Sequence, residues 1–525
     1  MPFEITATDG QARVGKLTFA RGKADQLASA GSSAAIDTPA CFVPTNAGLP
    51  PHLTPDVLAS LNAFNPGGML LHVPLEHFLD SDAPTLVQFS ASECKTARDE
   101  RTKTRDLRAF VGLTPARLVG APGNPATGAE EGAASGAAAV ETAASTSASA
   151  SVTSPTAPTS APTPTPAISI LMDLCDRGVD AADRHPKNTD KYACAKTFGG
   201  VVRTTPQLYM DVVRAARPDA IVALADHIYP SADTHANGVP SKKRTKNSVD
   251  RTLRWMEECS RLNREQLDVP MFVQIGGGPS EFERQRIVKE IGDRVQQKKL
   301  DIAGVLLSDS GLDAVPFGEK AALYAQSVSG LPADLPRIAY GCERPDHVPQ
   351  LIQKCGADVV DLTKYIKDTT DKGRALTFSF TASGASGETD VAPTLHLFDK
   401  TRYASDLSPI VDGCECPACV GSVAAGYGAE TNRRLPFTRA YINHLMNTHE
   451  MLGNTLLMLH NLHTVHKFLS DIRSSIAAGT LAADTAAFVA KYAFERDATD
   501  VDADEQAAFD AMKESLISAG NRLDS

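Results

Sequence analysis

The sequence lacks any continuous apolar run of about 18 residues, the length that a membrane-spanning helix requires. Its first 17 residues include Glu4 and Asp9 and have no apolar stretch, which argues against a secretory signal and against an acid-free transit peptide. We therefore expect a soluble, intracellular protein without a transmembrane segment.

Cysteine and net positive charge are also scarce. The 10 cysteines among 525 residues are too few and too scattered for a disulfide scaffold. The formal net charge of -11 provides no global field that would attract nucleic acid, so any RNA contact must be local. The strongest basic cluster is Lys242, Lys243, Arg244 and Lys246. A few charges in line can bind phosphates, although a solvated stretch leading into a helix explains the cluster nearly as well.

Residues 119–167 contain almost only Ala, Ser, Thr, Pro and Gly, a composition that has nothing to bury. We expect this segment to be a disordered insert in a surface loop; a linker between two domains is the alternative. The predicted division is an N-terminal part of a barrel (1–118), the insert (119–167), the barrel core (168–383), a zinc-binding subdomain with the following helix (384–475) and a C-terminal helical extension (476–525).

From residue 205 onward, short Val- and Ile-rich runs alternate with longer amphipathic stretches. The predicted strands are 221–225, 271–275, 302–307, 337–340 and 359–362. The predicted helices between them are 206–216, 248–264, 280–297 and 344–354. This repetition indicates parallel βαβ units in an α/β protein and favours a TIM-type barrel over an open sheet.

Polar residues follow several of these predicted strands, where a barrel collects its chemistry. They are Asp226, Gly276 with its two neighbouring glycines, Ser308, Asp309, Gly341, Cys342 and Asp361. Two or three carboxylates at one mouth could form an acid/base site. Alternatively, the Asp and Ser side chains cap the helices that follow.

Three cysteines, Cys414, Cys416 and Cys419, lie within six positions, a density typical of a metal site. A fourth cysteine is absent nearby, so a Cys₃His set holding one structural zinc ion is the natural prediction. The following segment, predicted as one long helix over 437–472, offers the candidates His444, His449, His460, His463 and His466. Spacing alone does not choose among these five histidines.

The pattern around the cysteines resembles the zinc subdomain of the tRNA-guanine (queuine) transglycosylases. Similar stretches lie at 51–54 (PHLT), 243–253 (KRTKNSVDRTL), 336–341 (PRIAYG), 344–346 (RPD), 374–380 (RALTFSF), 438–445 (TRAYINHL), 450–453 (EMLG) and 459–461 (LHN). The resemblance implies a (β/α)8 barrel with an inserted C-terminal zinc-binding subdomain. It also implies that His460, in the His-Asn pair, is the fourth zinc ligand.

The family exchanges a guanine base of tRNA for queuine through a covalent bond between an aspartate and the ribose. By resemblance, Asp361 occupies the place of that nucleophile, and Asp226 the place where catalytic members read the incoming base. Gly276 stands where a glutamine amide is expected, and we find no counterpart of the acid/base motif DSGGFQ, whose expected region is 86–118 with the insert. We therefore assign no catalytic residue and predict a pseudo-enzyme.

The match is closer to accessory than to catalytic members of the family. It implies a non-catalytic subunit that pairs with the catalytic queuine tRNA-ribosyltransferase subunit as a heterodimer and supports queuosine formation at the anticodon wobble position. The partners would be that subunit and tRNA. An active transglycosylase using Asp361, or a stand-alone zinc-containing RNA-binding protein, are the alternatives.

Members of the family act as dimers, with the zinc subdomain near the contact. Tyr441, Leu445, Leu452, Leu456 and Leu459 form a candidate stripe for that contact, although we expect most of them to be internal core. The resemblance further implies a cytoplasmic protein, with peripheral attachment to the mitochondrial outer membrane as an option.

Overall fold

A computed structural model describes the fold. The described residues are 3–19, 34–63, 65, 67–79, 84–91, 105–113, 168–176, 187–197, 199–235, 238–380, 391–423, 434–492 and 494. The predicted insert at 119–167 and the end of the predicted C-terminal extension lie outside them, so the predictions for those segments stay predictions.

Eight parallel strands close into a barrel. In order around it, they are Ala40–Pro44, Met69–Pro74, Ile168–Asp173, Ala220–Val222, Met271–Ile275, Gly304–Leu307, Arg337–Ala339 and Val359–Val360. The eighth strand pairs with the first through Val359 opposite Ala40 and Val360 opposite Cys41. The predicted α/β barrel of TIM type is thereby confirmed.

Both faces of the barrel strands are buried, which explains why they read as apolar runs without alternation. Successive side chains in a strand point to opposite faces. In the second strand, Leu70 packs in the lumen with Phe42 and Phe272, whereas Leu71 and Val73 pack in the large core outside it.

Three antiparallel strands precede the barrel: Phe3–Asp9, Ala12–Phe19 and Ala34–Thr38. Their buried residues Leu17, Phe19 and Ile36 belong to the same apolar cluster as the lumen side chains. This small sheet therefore closes the amino end of the barrel, while the opposite end, the mouth, carries the loops that follow each strand.

Helices and short connections surround the barrel. They are Pro55–Ala63, a 3-10 turn at Leu75–Phe78, Thr85–Ala91, Leu107–Val111, the hairpin Ala193–Thr197 with Gly200–Thr204, Pro206–Ala216, Pro230–Asp233, Lys242–Gln266, Glu281–Gln296, Phe317–Val328, His347–Cys355 and Thr363–Asp371. All five predicted strands and four predicted helices are present; the helix 206–216 and the strand 271–275 have the predicted bounds, and the others have shifted ends. None of the helices in the described part of the chain has the length and apolar character needed to cross a bilayer.

The C-terminal region adds a small subdomain and a long helix. Its elements are the strands Arg374–Leu376, Thr394–His396, Ser422–Val423 and Arg434–Leu435, and the helices Lys400–Tyr403, Pro417–Val420, Arg439–Asn447, Met451–Ala478 and Leu481–Lys491. The long helix returns to the barrel, where Arg473 Nη1 donates to the Pro39 carbonyl at 2.8 Å. The subdomain is thus inserted before a helix that packs on the barrel.

The prediction of one continuous helix over 437–472 is wrong. The chain forms Arg439–Asn447, turns, and begins Met451–Ala478, with His449 in the left-handed region at φ 57°. Glycine is the usual residue in that conformation, so a histidine gives no sequence signal for the break.

Candidate metal centre and barrel mouth

Cys414, Cys416, Cys419 and His460 come together at the junction between the subdomain and the long helix. One candidate ligand atom from each residue lies within 4.8 Å of all the others. Nδ1 of His460 is 3.7, 3.4 and 3.5 Å from the Sγ atoms of Cys414, Cys416 and Cys419, respectively. Cys414 is half-buried and the other three residues are buried. Among the described residues, this is the group of His, Cys and acidic side chains that could hold a metal ion.

The geometry fits a tetrahedral ion. Zn–S bonds of about 2.3 Å and a Zn–N bond of about 2.0–2.1 Å would separate nitrogen from each sulfur by about 3.6 Å, close to the observed values. Three thiolates and one imidazole fill all four positions of a tetrahedral site, which is the pattern of structural zinc rather than of a catalytic ion. The site also orders the local backbone, because Cys416 caps the helix Pro417–Val420 through the Cys419 N–H.

A second contact sets the tautomer of His460. Nε2 lies 2.8 Å from the Leu376 carbonyl, which can only accept, so Nε2–H donates and the lone pair of Nδ1 faces the sulfurs. His460 is fully buried, and burial alone would lower its pKa, yet the thiol groups of Cys414 and Cys419 raise its pKa to about 9. Negative charge on the sulfurs thus favours a cation next to Nδ1, and a metal ion in place of a proton there would supply it.

The other four candidate histidines do not join the cluster. His444 and His449 are exposed at the end of the preceding helix. His466 contacts the side-chain amide of Asn65 at 3.0 Å, and burial lowers its pKa to about 3. His463 is half-buried one turn beyond His460, and burial also lowers its pKa. Tertiary structure therefore singles out His460 for the metal group.

At the barrel mouth, Asp226 is saturated with internal hydrogen bonds. Its two carboxylate oxygens accept from Arg244 at 2.9 and 2.8 Å, from Arg251 at 3.1 Å and from the Asn188 amide at 2.8 Å. The side chain is fully buried. All acceptor positions of the Asp226 carboxylate are therefore occupied by side chains of this chain.

These contacts correct the prediction for the basic cluster. Arg244 does not belong to an exposed phosphate-binding surface, because it points inward to Asp226 and to Asp233. Burial lowers its pKa, but its bonds to Asp233 and Asp226 outweigh that effect and raise the pKa overall. Lys242, Lys243 and Lys246 are exposed at the start of the helix Lys242–Gln266.

Two further carboxylates lie at the carboxyl ends of barrel strands, at the mouth. Asp361 follows the eighth strand, is 8% exposed and accepts a bond from the N–H of Thr363, the first residue of the next helix, at 2.9 Å. Asp173 ends the third strand and was missed by the sequence analysis, which sought an acid/base group in 86–118 and the insert. Its Oδ2 accepts from the Tyr340 hydroxyl at 2.9 Å and its Oδ1 from the Leu174 N–H at 2.7 Å. The signal was an apolar run ending in Asp just after the insert.

Gly276 follows the fifth barrel strand at the mouth. A Cβ atom at Gly276 would meet no atom within 4 Å, so this position faces open space and provides no side chain there. Gln274, two residues earlier, is buried and lies 3.4 Å from the ring of His227.

Further ion pairs connect the loops around the mouth. Lys367 is almost fully buried and donates to Asp176 at 3.2 Å and to Asn46 at 3.1 Å. His77 Nε2 lies 3.2 Å from the same carboxylate oxygen of Asp176. These contacts hold together the loops after the first three strands and the helix after the eighth.

Comparison with known proteins agrees with this arrangement. The family model described as queuine tRNA-ribosyltransferase matches residues 170–494, more than half of the chain. The chain is 31% identical over 287 residues to queuine tRNA-ribosyltransferase accessory subunit 2 of Culex quinquefasciatus, a match that covers 53% of this chain and 59% of that protein. It is 29% identical over 326 residues to the same-named protein of Xenopus tropicalis, and 28% identical over 324 residues to that of Homo sapiens; each match covers 56% of this chain and 71% of the relative.

The barrel, the inserted subdomain with its Cys₃His group and the matched family model all lead to one assignment. The chain belongs to the queuine tRNA-ribosyltransferase family.

Proposed function

We propose that this chain is a non-catalytic accessory subunit of a heterodimeric queuine tRNA-ribosyltransferase and supports the exchange of guanine for queuine at the tRNA wobble position. The names of its relatives support the proposal. The observation that carries it is the saturation of Asp226 by Arg244, Arg251 and Asn188.

A purine bound at Asp226 would have to displace these partners. Separating a buried ion pair so that one charge is left unpaired costs about 3–5 kcal/mol. The interactions of the bound base would have to offset this free-energy cost before the base could bind with measurable affinity. The tied loops around Lys367 and Asp176 add further resistance to opening.

The test is base exchange with and without a catalytic subunit. We expect the purified chain alone to incorporate no labelled guanine into a tRNA that carries guanine at the wobble position, and the heterodimer to incorporate it. The chain variant Asp361→Asn should leave the rate of the heterodimer unchanged, since the partner holds the working site.

The rival is an active transglycosylase. It is favoured by one observation, namely that Asp361 and Asp173 both lie at the carboxyl ends of barrel strands, at the mouth. Exchange by the chain alone, abolished by Asp361→Asn, would establish the rival and refute the accessory role.

The metal group is proposed to hold one structural zinc ion through Cys414, Cys416, Cys419 and His460. The nitrogen–sulfur separations match a tetrahedral site, which supports zinc over cations that prefer octahedral coordination by oxygen ligands. Bound zinc would cross-link the subdomain to the long helix and supply no reactive position.

The contact with the catalytic subunit is proposed for the exposed apolar side chains of the helices Arg439–Asn447 and Met451–Ala478. Of the predicted stripe, Leu445, Leu456 and Leu459 are core residues, whereas Tyr441 and Leu452 are 43% and 41% exposed. Met451 lies next to them and is 84% exposed. Apolar groups exposed this far favour burial by a partner.

The three exposed lysines are proposed to contact tRNA phosphates. The triple variant of Lys242, Lys243 and Lys246 to alanine should weaken tRNA binding by the heterodimer and reduce the slope of log K against log salt by up to about 3, at roughly 1 per lost contact. A filter-binding series at several salt concentrations measures both effects.

The matched control replaces three exposed lysines on the other side of the barrel. Lys289 lies in the middle of the helix Glu281–Gln296, and Lys298 and Lys299 follow its end, before the sixth strand begins. Their alanine variant should keep the wild-type slope. Equal slopes for both triple variants would refute the phosphate contact.

The remaining hypothesis is a stand-alone RNA-binding protein. Co-purification of the chain with a catalytic subunit would exclude that hypothesis. Location in the cytoplasm, with or without peripheral attachment to the mitochondrial outer membrane, stays a prediction that cell fractionation can test.

A further inference from the structure

Asn461 is fully buried next to His460, and its side chain connects three separate backbone segments. Its Oδ1 accepts from the Leu376 N–H at 2.9 Å, and its Nδ2 donates to the Arg374 carbonyl at 3.1 Å. The backbone partners fix the orientation of the amide, because an N–H can only donate and a carbonyl can only accept.

These two bonds clamp the strand Arg374–Leu376 against the long helix. The same strand provides the Leu376 carbonyl that accepts from Nε2 of His460 at 2.8 Å. Asn461 therefore holds Leu376 in place through its N–H, and the tautomer and ring orientation of His460 depend on the carbonyl of that same residue. Partners that orient a ligating histidine typically change metal affinity about 10- to 100-fold when they are lost.

The third contact leads toward the barrel mouth. Nδ2 of Asn461 also donates to the Thr370 hydroxyl at 3.0 Å, and that hydroxyl donates to the Ile366 carbonyl at 2.9 Å. Thr370 belongs to the helix Thr363–Asp371. The same helix begins at the Thr363 N–H bonded to Asp361, and it carries Lys367, which ties Asp176 and Asn46.

We infer that Asn461 is a positioning residue that couples the metal group to the barrel mouth. Through Leu376 it orients His460 for the ion, and through Thr370 it holds the helix Thr363–Asp371, which begins at the mouth. The inference rests on the proposed zinc site. It predicts that removal of the metal loosens Thr363–Asp371, although no residue of that helix is a ligand.

The experiment uses Co²⁺ in place of zinc in the full chain, because its thiolate charge-transfer and d–d bands report the coordination geometry. For Asn461→Ala, we expect an altered cobalt spectrum and an affinity about 10- to 100-fold lower. Hydrogen exchange gives the second readout: chelation of the wild-type chain should speed exchange in Thr363–Asp371, and Asn461→Ala should show that faster exchange even with metal present.

Two variants separate positioning from a general loss of stability. Asn443 is also a buried asparagine of the subdomain. It donates to the Leu397 and Asp399 carbonyls and not to the strand Arg374–Leu376, which contacts His460. Asn443→Ala should keep the wild-type cobalt spectrum. Thr370→Val removes only the hydrogen bond between Asn461 and the helix Thr363–Asp371. This variant should keep the wild-type metal affinity, and chelation should no longer change hydrogen exchange in that helix.

A wild-type cobalt spectrum and cobalt affinity in Asn461→Ala would overturn the inference. An unchanged rate of hydrogen exchange in Thr363–Asp371 after chelation of the wild-type chain would also overturn it. If the wild-type chain itself gives no thiolate–cobalt bands, the zinc proposal fails first. The two failures are therefore distinguishable.

Discussion

Replacing His460 with alanine is expected to release the metal from the chain, whereas replacing His463 with alanine is not. His460 is the histidine whose Nδ1 lies within 3.4–3.7 Å of all three sulfurs. Binding of structural zinc contributes about 10–16 kcal/mol in small zinc domains. Losing one of four ligands should therefore reduce the zinc content after a chelator wash from about one ion per chain to nearly none.

The consequence should be local to the C-terminal region. The buried cluster around Ile442, Leu456 and Leu457 includes Cys416 and Cys419, so it loses its cross-link when the ion leaves. Elemental analysis and limited proteolysis measure the two effects. His463→Ala is the control, because His463 lies one turn further along the same helix and its ring is not in the ligand group. Zinc loss from His463→Ala, with retention by His460→Ala, would show that the assignment is wrong.

Breaking the buried pair of Arg13 and Asp358 should be the most destabilising change outside the metal group. Arg13 donates from Nε to Asp358 Oδ1 at 3.0 Å and from Nη2 to Oδ2, and it also donates to the Ala333 and Leu335 carbonyls. Asp358 in turn accepts from the Arg337 N–H at 2.8 Å. The pair joins the N-terminal sheet to the amino end of the barrel.

The variant Arg13→Met should lose about 3–5 kcal/mol at pH 8, because it leaves a buried carboxylate unpaired. Arg261→Met is the matched control. Arg261 pairs with Glu258 and Glu265 on an exposed helix face, where solvent screening leaves ion pairs little effect on stability. Unfolding midpoints in urea compare the two variants.

The loss should shrink on acidification. Burial raises the pKa of Asp358 to about 6 even with Arg13 in place, against an ordinary value of about 3.9. Without Arg13 the folded-state pKa rises further, so the protonated form stabilises the fold at low pH and this stabilisation is lost as pH rises through the folded pKa. Arg13→Met should therefore differ less from wild type at pH 5.5 than at pH 8.

Adding Asp358→Asn to Arg13→Met tests the cause. The double variant has no unpaired charge, so it should recover part of the lost stability at pH 8 and show little extra pH dependence. An equal loss for Arg13→Met at both pH values would show that Asp358 does not take up the proton.

The second half of the barrel could be predicted from the sequence because its strands and helices follow one another closely. The predicted helix 206–216 and strand 271–275 have the observed bounds. The first three barrel strands were not identified individually. Irregular connections and the low-complexity insert separate them, so the βαβ rhythm that reveals the others is absent there.

The metal group, too, could be predicted from the sequence only in part. Three cysteines within six positions define most of a ligand set by local spacing alone, because the short segment must bring them together. The fourth ligand lies more than 40 residues away, and the turn at His449 changes the direction of the chain between them. Spacing left five histidines, the family resemblance indicated His460, and the folded geometry places that ring among the sulfurs.

The mouth depended most on tertiary structure. The sequence alone predicts that carboxylates follow the strands and shows a basic cluster of Lys242, Lys243, Arg244 and Lys246. It could not show that Arg244 turns inward to Asp226 while its neighbours stay exposed, because the direction of a helical side chain depends on how the helix packs. Local pattern thus determined the barrel and the cysteines, whereas packing between distant segments decided which charges face solvent and which neutralise one another.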